Sequence, residues 1–354
     1  MLKTFNEVFD DYTKYGTKIK TEQYHTVGTN IIIDQGQADI AGYTDQIDGL
    51  FKDVPVIVFG DHTRIIKYIN RPFFLGADGT KILKSKIPNA NYKYLYYALK
   101  NAKIPNTGYN RHFKWLKQIS ISFPEHHKQS MIVEILDKLE DSIDNYNTIL
   151  GLLDKLVKAR FIEMFGDPVS NSKHLPLKTL PQLGTFGRGV SKYRPRNAPE
   201  LLNGPYPLIQ TGDIANSELY IKNYNNTYSE VGLKQSKMWD KGTLCITIAA
   251  NIAKTAILLF DACFPDSVVG FNGNNLTNNI FVHYWFSFFQ EILENQAPES
   301  AQKNINLKIL SELQIITPDI IEQNQFADFV HQVDKSRFDI KKSIIELERE
   351  VVYD

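Results

Sequence analysis

Ten residues, Gly187-Arg-Gly-Val-Ser-Lys-Tyr-Arg-Pro-Arg196, gather four cations, one aromatic ring and two glycines. Arg188, Lys192, Arg194 and Arg196 offer charge to phosphates and forked donors to base edges, Tyr193 offers a ring face, and glycine lets backbone approach a groove. A solvated basic loop has the same composition; the Gly/Arg density favours contact with nucleic acid. The early region of the first half carries Lys14, Lys18 and Lys20. A tight turn, Gly60-Asp-His-Thr-Arg64, presents His62 and Arg64 between two strands, with an Arg64–Asp61 ion pair as the competing reading. Asn251 and Lys254 occupy the corresponding inter-strand turn of the second half. Two polar loops, Tyr109-Asn-Arg-His112 and Gln302-Lys-Asn-Ile305, could also touch DNA, although a plain connection explains them more simply.

Intrinsic catalysis finds no support. There is no Asn-Pro-Pro-Tyr-type motif for adenine methylation and no Walker loop, and Gly184-x-x-Gly-x-Gly189 has the wrong spacing for a cofactor loop. Pro318-Asp319 is not followed by the Glu-x-Lys of a metal-dependent nuclease, and His126-His127 reads as a surface pair. The two cysteines, Cys245 and Cys263, form no disulfide framework, and no Cys/His spacing fits zinc. No metal or cofactor is therefore expected in this chain. No apolar run reaches membrane-spanning length and the N-terminus is polar, so no membrane partner and a cytoplasmic location are expected.

The element that must position these loops runs from Glu125 to Phe165. Ile132, Leu136, Leu139, Ile143, Tyr146, Leu150, Leu153 and Val157 alternate intervals of four and three, the seam of a helix that packs lengthwise on another. At ~1.5 Å per residue such a rod is roughly 60 Å long, and its seam needs a partner. The stripe recurs as Phe326, Val330, Val333, Arg337, Ile340, Ile344, Leu347 and Val351, each 194 positions after its counterpart. The same offset relates Lys114, Leu116, Pro124 and Gln129 to Lys308, Leu310, Pro318 and Gln323, which marks an internal duplication. It places the counterpart of Phe165 at position 359, so the second rod is expected to be slightly clipped at Asp354.

The duplication divides the chain into a strand-rich module at 1–124, a helix at 125–165, a second module at 166–318 that begins with a linker to 176, and a second helix at 319–354. Asn30–Ile33, Asp53–Phe59 and Arg64–Ile69 read as strands, Tyr92–Leu99 as a helix and Ile119–Phe123 as a closing strand. In the second module Tyr206–Gln210, Gly242–Ile248 and Ala256–Phe260 read as strands, and Ile280–Leu293 as a strand passing into a helix. Net charge is zero overall, yet the modules carry +6 and +1 and the helices −3 and −4. Phosphates would therefore meet the modules, and the acidic helix faces are left for protein partners.

This layout resembles the DNA-specificity subunits of type I restriction–modification systems, in which recognition domains alternate with long helices. Asn306-Leu-x-x-Leu310, followed by Pro318-x-x-x-Glu322-Gln323, is similar to that family's junction of domain and helix. Phe161-x-x-Met-Phe-Gly-Asp-Pro168 resembles its first helix ending, and Val56–Gly79 the middle of a recognition domain. The first copy departs from the pattern, with Lys128-Gln129 for Glu-Gln and Arg111-His-Phe for Ile-Asn-Leu. The resemblance implies an α+β fold: two similar target-recognition domains separated by an antiparallel two-helix coiled-coil spacer with pseudo-twofold symmetry. It implies a non-catalytic subunit whose domains each read half of a split site in double-stranded DNA. It further implies two modification subunits that use S-adenosylmethionine, and restriction subunits that use ATP and magnesium. A recognition fragment of a fused methyltransferase–nuclease and a coiled-coil adaptor that binds no DNA are the alternatives.

Parallel rods would set Arg337 against Ile143. Antiparallel, end-to-end pairing sets Ile132 against Val351, Val157 against Phe326, and Arg337 against Tyr146, where a cation–π contact is available. The antiparallel arrangement is expected.

Overall fold

The computed structural model describes residues 1–76, 78–249, 252–296 and 307–353, arranged as two units, Met1–Tyr146 with Ser343–Asp354 and Asn147–Lys342. In the first unit the β-branched run Val56–Gly60 is buried along its whole length. Val56 and Val58 face one apolar cluster with Ile31, Phe73 and Leu75, while Ile57 and Phe59 face another with Phe5, Leu95 and Phe113. A strand covered on both sides can afford no polar alternation, which is why its sequence is continuously apolar. It sits within the antiparallel order Phe9–Asp11, Thr80–Ser85, Val56–Gly60, Ile66–Ile69. A three-stranded sheet of Gly42–Thr44, Asn30–Ile33 and Phe73–Leu75 supplies the second layer. The helix Tyr92–Lys100, capped by Asn91 accepting from the Tyr94 N–H at 3.1 Å, covers the cluster of Ile57 and Phe59.

The second unit repeats the hairpin with Leu244–Thr247 against Thr255–Leu258, flanked by Val268–Gly273 and then Gly184–Arg188. A second sheet orders Asn226–Tyr228, Leu202–Leu208, Ala262–Cys263 and Met238–Trp239. Asn279–Gln296 is helical from its first residue, so the expected opening strand at Ile280 is not formed. Its aromatic residues favour strand by propensity, but Asn278 caps the helix by accepting from the Phe281 N–H at 2.8 Å, and Phe281, Val282, Trp285 and Phe286 recur at helical spacing in the core. Cys245 and Cys263 are free and buried, and burial pushes both thiols up.

The duplication is visible atom for atom where each long helix begins. Gln129 and Gln323, both buried, donate from Nε2 to the carbonyls of Pro124 and Pro318, each at 2.9 Å. Each module is closed by a two-stranded pairing, Leu2–Thr4 with Ser120–Ser122 and Leu177–Thr179 with Gln314–Ile316. The first strand of both pairs reads Leu-Lys-Thr, a repeat that the 194 offset does not reveal because the intervening modules differ in length.

The long helices run from His126 to Phe165 and from Ile320 to Tyr353. Every seam residue, from Ile132 to Val157 and from Phe326 to Val351, is buried or half-buried. Within the second unit Phe161 lies 5.4 Å from Phe326, Arg160 lies over Phe329, and Asp154 meets Arg337, so the helices are antiparallel. Within the first unit Val351 lines one groove with Ile132 and Leu136, the same sense. The register differs from end-to-end matching. Phe326 meets Phe161 and Phe165, about one and two turns beyond Val157, because those two rings are anchored in the core on Phe281. In place of the expected contact with Tyr146, Arg337 pairs with Asp154 at 2.5 Å and Asp334 at 3.3 Å. A buried guanidinium is better satisfied by carboxylates than by a phenol ring.

Burial pushes the Asp334 carboxyl up, and Arg337 opposes that rise. A carboxyl raised in the folded state stabilises the fold at low pH and loses that contribution as pH climbs from about 4. Arg337→Met is therefore expected to steepen the loss of stability between about pH 4 and 7. Urea midpoints of both proteins at the two pH values test this, and an unchanged pH dependence would remove Arg337 from control of Asp334.

Candidate nucleic-acid interface

In the first unit three separate stretches converge. The Gly60–Arg64 turn closes by the Arg64 N–H donating to the Gly60 carbonyl at 2.7 Å, with Arg64 in the left-handed region at φ 64°. Asp61 is buried and does not pair with Arg64. Its carboxylate accepts from the Phe113 N–H at 2.7 Å, and its carbonyl from the His112 N–H at 2.7 Å. This ties the turn to the Tyr109–His112 loop, and the His62 ring stacks on Tyr109 at 4.8 Å and 11°. Gln35 bridges to the third stretch: its Nε2 donates to the Asp78 carbonyl and its Oε1 accepts from the His62 N–H. Arg64 is half-buried, and its Nη1 donates to the Ile104 carbonyl at 3.3 Å.

The resulting surface carries a half-buried imidazole under the exposed Tyr109 ring, with the exposed Arg111 on the same loop. Lys18 reaches this patch through Asp78, Nζ to Oδ1 at 2.5 Å, and holds that carboxyl below the usual carboxylate range. Lys20 is exposed, and Lys14 lies over the ring of Tyr15. Such a patch offers a stacking face and cations in one place, the inventory a nucleic acid requires.

In the second unit the basic stretch leaves the strand Gly184–Arg188 and folds over the body of the module. Gln235 Oε1 accepts from the N–H groups of Lys192 and Tyr193, at 2.7 and 3.0 Å, and fixes the loop from below. Tyr193 donates its hydroxyl to Glu200 at 2.8 Å, which raises the phenol above its usual range. Arg196 and Arg194 both reach Asp266, at 2.6 and 3.7 Å, and Arg194 also donates to the carbonyls of Ser191 and Tyr193. Two of the four cations thus shape the loop and share one carboxylate, while Arg188 and Lys192 extend exposed side chains. Lys254 is half-buried and anchored through its backbone to Thr247, and Asn251 lies outside the described residues, as does the Gln302–Ile305 loop.

Asp266, Gln235 and Gln35 organise these surfaces and were not singled out by composition. Each is one neutral or acidic residue far along the chain from the loop it holds. Among the described residues no cluster of three metal-ligating side chains occurs, and no helix is long and apolar enough to cross a membrane.

The arrangement separates the arginines into two kinds. Arg188→Gln is expected to weaken duplex-DNA affinity evenly across sequences and to lower the slope of log affinity against log salt by about one. Titrations of labelled duplexes over a range of salt concentrations read that slope, and an unaltered slope would take Arg188 off the phosphate-facing surface.

Comparison with known proteins adds independent findings. A family model described as the type I restriction modification DNA specificity domain matches residues 2–154 and again residues 179–349. A type I restriction enzyme specificity subunit from Escherichia coli is 29% identical over 143 residues, covering 37% of this chain and 35% of its own length. The chain thus matches about a third of the length of that relative. The crystal structure of a type I restriction-modification system S subunit from M. genitalium aligns over 99% of this chain and 93% of its own, with TM-score 0.59 and 16% identity. A chain from a structure of the type I system, solved to explain complex assembly and conformational transition, aligns over 99% and 95% with TM-score 0.54 and 13% identity. At such identities the likeness is one of fold.

Proposed function

Since the chain belongs to the type I restriction–modification DNA specificity family, we propose that each module reads one half of a divided site in double-stranded DNA. The observation that carries this reading is repetition. One specificity-domain model matches twice, and each match contains its own sheets and its own cation-bearing loops. Lys18, Lys20, His62 and Arg64 serve the first half-site, and Arg188, Lys192, Tyr193, Arg194, Arg196, Asn251 and Lys254 the second. The chain itself catalyses nothing and holds no cofactor. It directs two modification subunits, which bring S-adenosylmethionine, and restriction subunits, which bring ATP and magnesium, to the DNA in the cytoplasm.

The outward faces of the long helices support docking of the modification subunits. They are acidic, and they also expose Met131 and Ile135 in the first unit and Leu152 and Leu156 in the second, apolar side chains that a partner would cover. The fused-enzyme and adaptor readings are not favoured, because the specificity model matches both modules and most of each long helix.

Single-molecule methylome sequencing tests the reading in cells that express this chain with its modification subunit, against cells lacking this chain. A split adenine-methylated motif that disappears with the chain is the expected result. No motif, with the modification subunit active on another specificity chain, would overturn it.

A further inference from the structure

In the second module one arginine is held by a carboxylate and still stays at the surface. Arg196 donates from Nη2 to Asp266 Oδ1 at 2.6 Å, and its side chain remains 47% exposed. Asp266 is the one hydrogen-bonding partner it has among the described residues. Arg194 behaves differently. Its Nη1 turns back to the carbonyls of Ser191 and Tyr193, at 2.7 and 2.8 Å, and its Nη2 stands 3.7 Å from the same carboxylate. Arg194 thus closes the loop, while Arg196 presents its guanidinium to solvent.

Both ends of the Arg196–Asp266 pair are fixed by buried structure. Asp266 lies just beyond Phe264, which is fully buried and stacks on Trp239 at 5.0 Å. The Val268 N–H donates to the Pro265 carbonyl at 3.0 Å and closes the turn around Asp266. The basic loop crosses this turn at Gly189, whose N–H donates to the Val268 carbonyl at 2.8 Å. A Cβ at Gly189 would run into the carbonyl oxygens of Phe264 and Pro265, so the crossing is close. On the loop's other side the Ser236 hydroxyl donates to the Val190 carbonyl at 2.8 Å, and Ala198, just beyond Arg196, is buried. A guanidinium held in this way offers its remaining donors with little side-chain freedom left to lose on binding.

The charge of the pair selects what those donors meet. A carboxylate 2.6 Å away offsets much of the charge of Arg196 and would repel a phosphate brought to the same guanidinium. A base edge is neutral and escapes that penalty. Among base edges in the major groove, guanine is the one with two acceptors, O6 and N7, side by side, the match for a planar fork. We propose that Arg196 reads a guanine in the second module's half-site, and that Asp266 is the positioning residue that aims it. Arg188 and Lys192, exposed on the same loop, remain for phosphates. This inference rests on the DNA reading and adds to it one base and the residues that select it.

The test uses the full chain assembled with its modification subunits, and the motif that methylome sequencing supplies. Duplexes carry 7-deazaguanine, which lacks the N7 acceptor, at one guanine of the motif at a time. At one of these guanines the parent is expected to lose affinity about tenfold, and Arg196→Gln to bind the normal and substituted duplexes equally. Arg196→Lys, which keeps the charge and loses the fork, should show the same indifference. Asp266→Asn should shrink the penalty at that guanine and leave the others as they were. The probe alters the DNA, so the parent's folding does not enter its own result. A motif without guanine, or a penalty at every guanine that is the same with and without Arg196, would overturn this inference alone. So would an even weakening by Arg196→Gln across all duplexes, which would make Arg196 a phosphate contact. A parent complex with no preference for its motif over other duplexes would overturn the DNA reading and this inference together.

Discussion

Phe161→Ala is expected to cost the second module about 3–5 kcal/mol of stability, the range found for a large aromatic deleted from a packed core. The side chain is fully buried and touches four other rings, on its own helix, on the module's core helix and on the second long helix. Its removal therefore takes away transfer free energy and leaves a cavity that three separate elements border. Those elements cannot collapse together, because Phe281 and Phe326 are also held by Phe165 and Tyr284. The neighbouring Ile162 is 45% exposed, and Ile162→Ala serves as the control, with an expected effect within about 0.5 kcal/mol. Denaturant unfolding followed by tryptophan emission reads both, since Trp239 and Trp285 lie in the second unit. Equal midpoints for the two variants would show that the helix end does not anchor the module.

How much of this was written in the sequence depends on the range over which each feature is determined. The seam was legible because a four-three stripe specifies a helix face locally, and every residue it named is buried or half-buried. The buried strand Val56–Gly60 was legible for a similar reason, a short β-branched run bounded by turn residues. Register was not. A periodic stripe fits its partner equally well one turn along, and the choice falls to Phe161 and Phe165, whose destination is a core assembled from 120 residues further on. The helix at Asn279–Gln296 was obscured by its aromatic content, although Asn278 and the spacing of Phe281 and Trp285 carried the signal.

The candidate interface was legible only as an inventory. Composition found the arginines, but which of them are free depends on Asp266, 70 positions from Arg196. Likewise the reading of Asp61 as a partner for Arg64 fails because that carboxylate is consumed by the backbone at Phe113. Convergence of Gly60–Arg64 with Tyr109–His112 needs the whole sheet between them, so two stretches that read as separate candidates form one surface.

The second large effect follows from the helices as a spacer, and it depends on the specificity-family reading. Inserting one heptad into each long helix, at facing positions of the seam, is expected to lengthen the unread gap and leave both half-sites unchanged. Seven residues add about 10.5 Å of helix, the rise of roughly three base pairs. They are close to two full turns, so the apolar stripe re-enters almost in phase and the pairing of the helices survives. Three base pairs also rotate the second half-site by more than a quarter turn around the duplex, since a full turn takes about 10.5 base pairs. The methylated motif should consequently reappear with a gap longer by about three, at lower occupancy than in the parent. A four-residue insertion in one helix alone supplies the contrast. It adds length but breaks the match between the seams, so Arg337 no longer faces Asp154 and the motif should vanish. Methylome sequencing of the parent and both insertions separates the outcomes. The original gap persisting in the heptad variant would mean that the DNA, or a partner subunit, and not this pair of helices, sets the spacing.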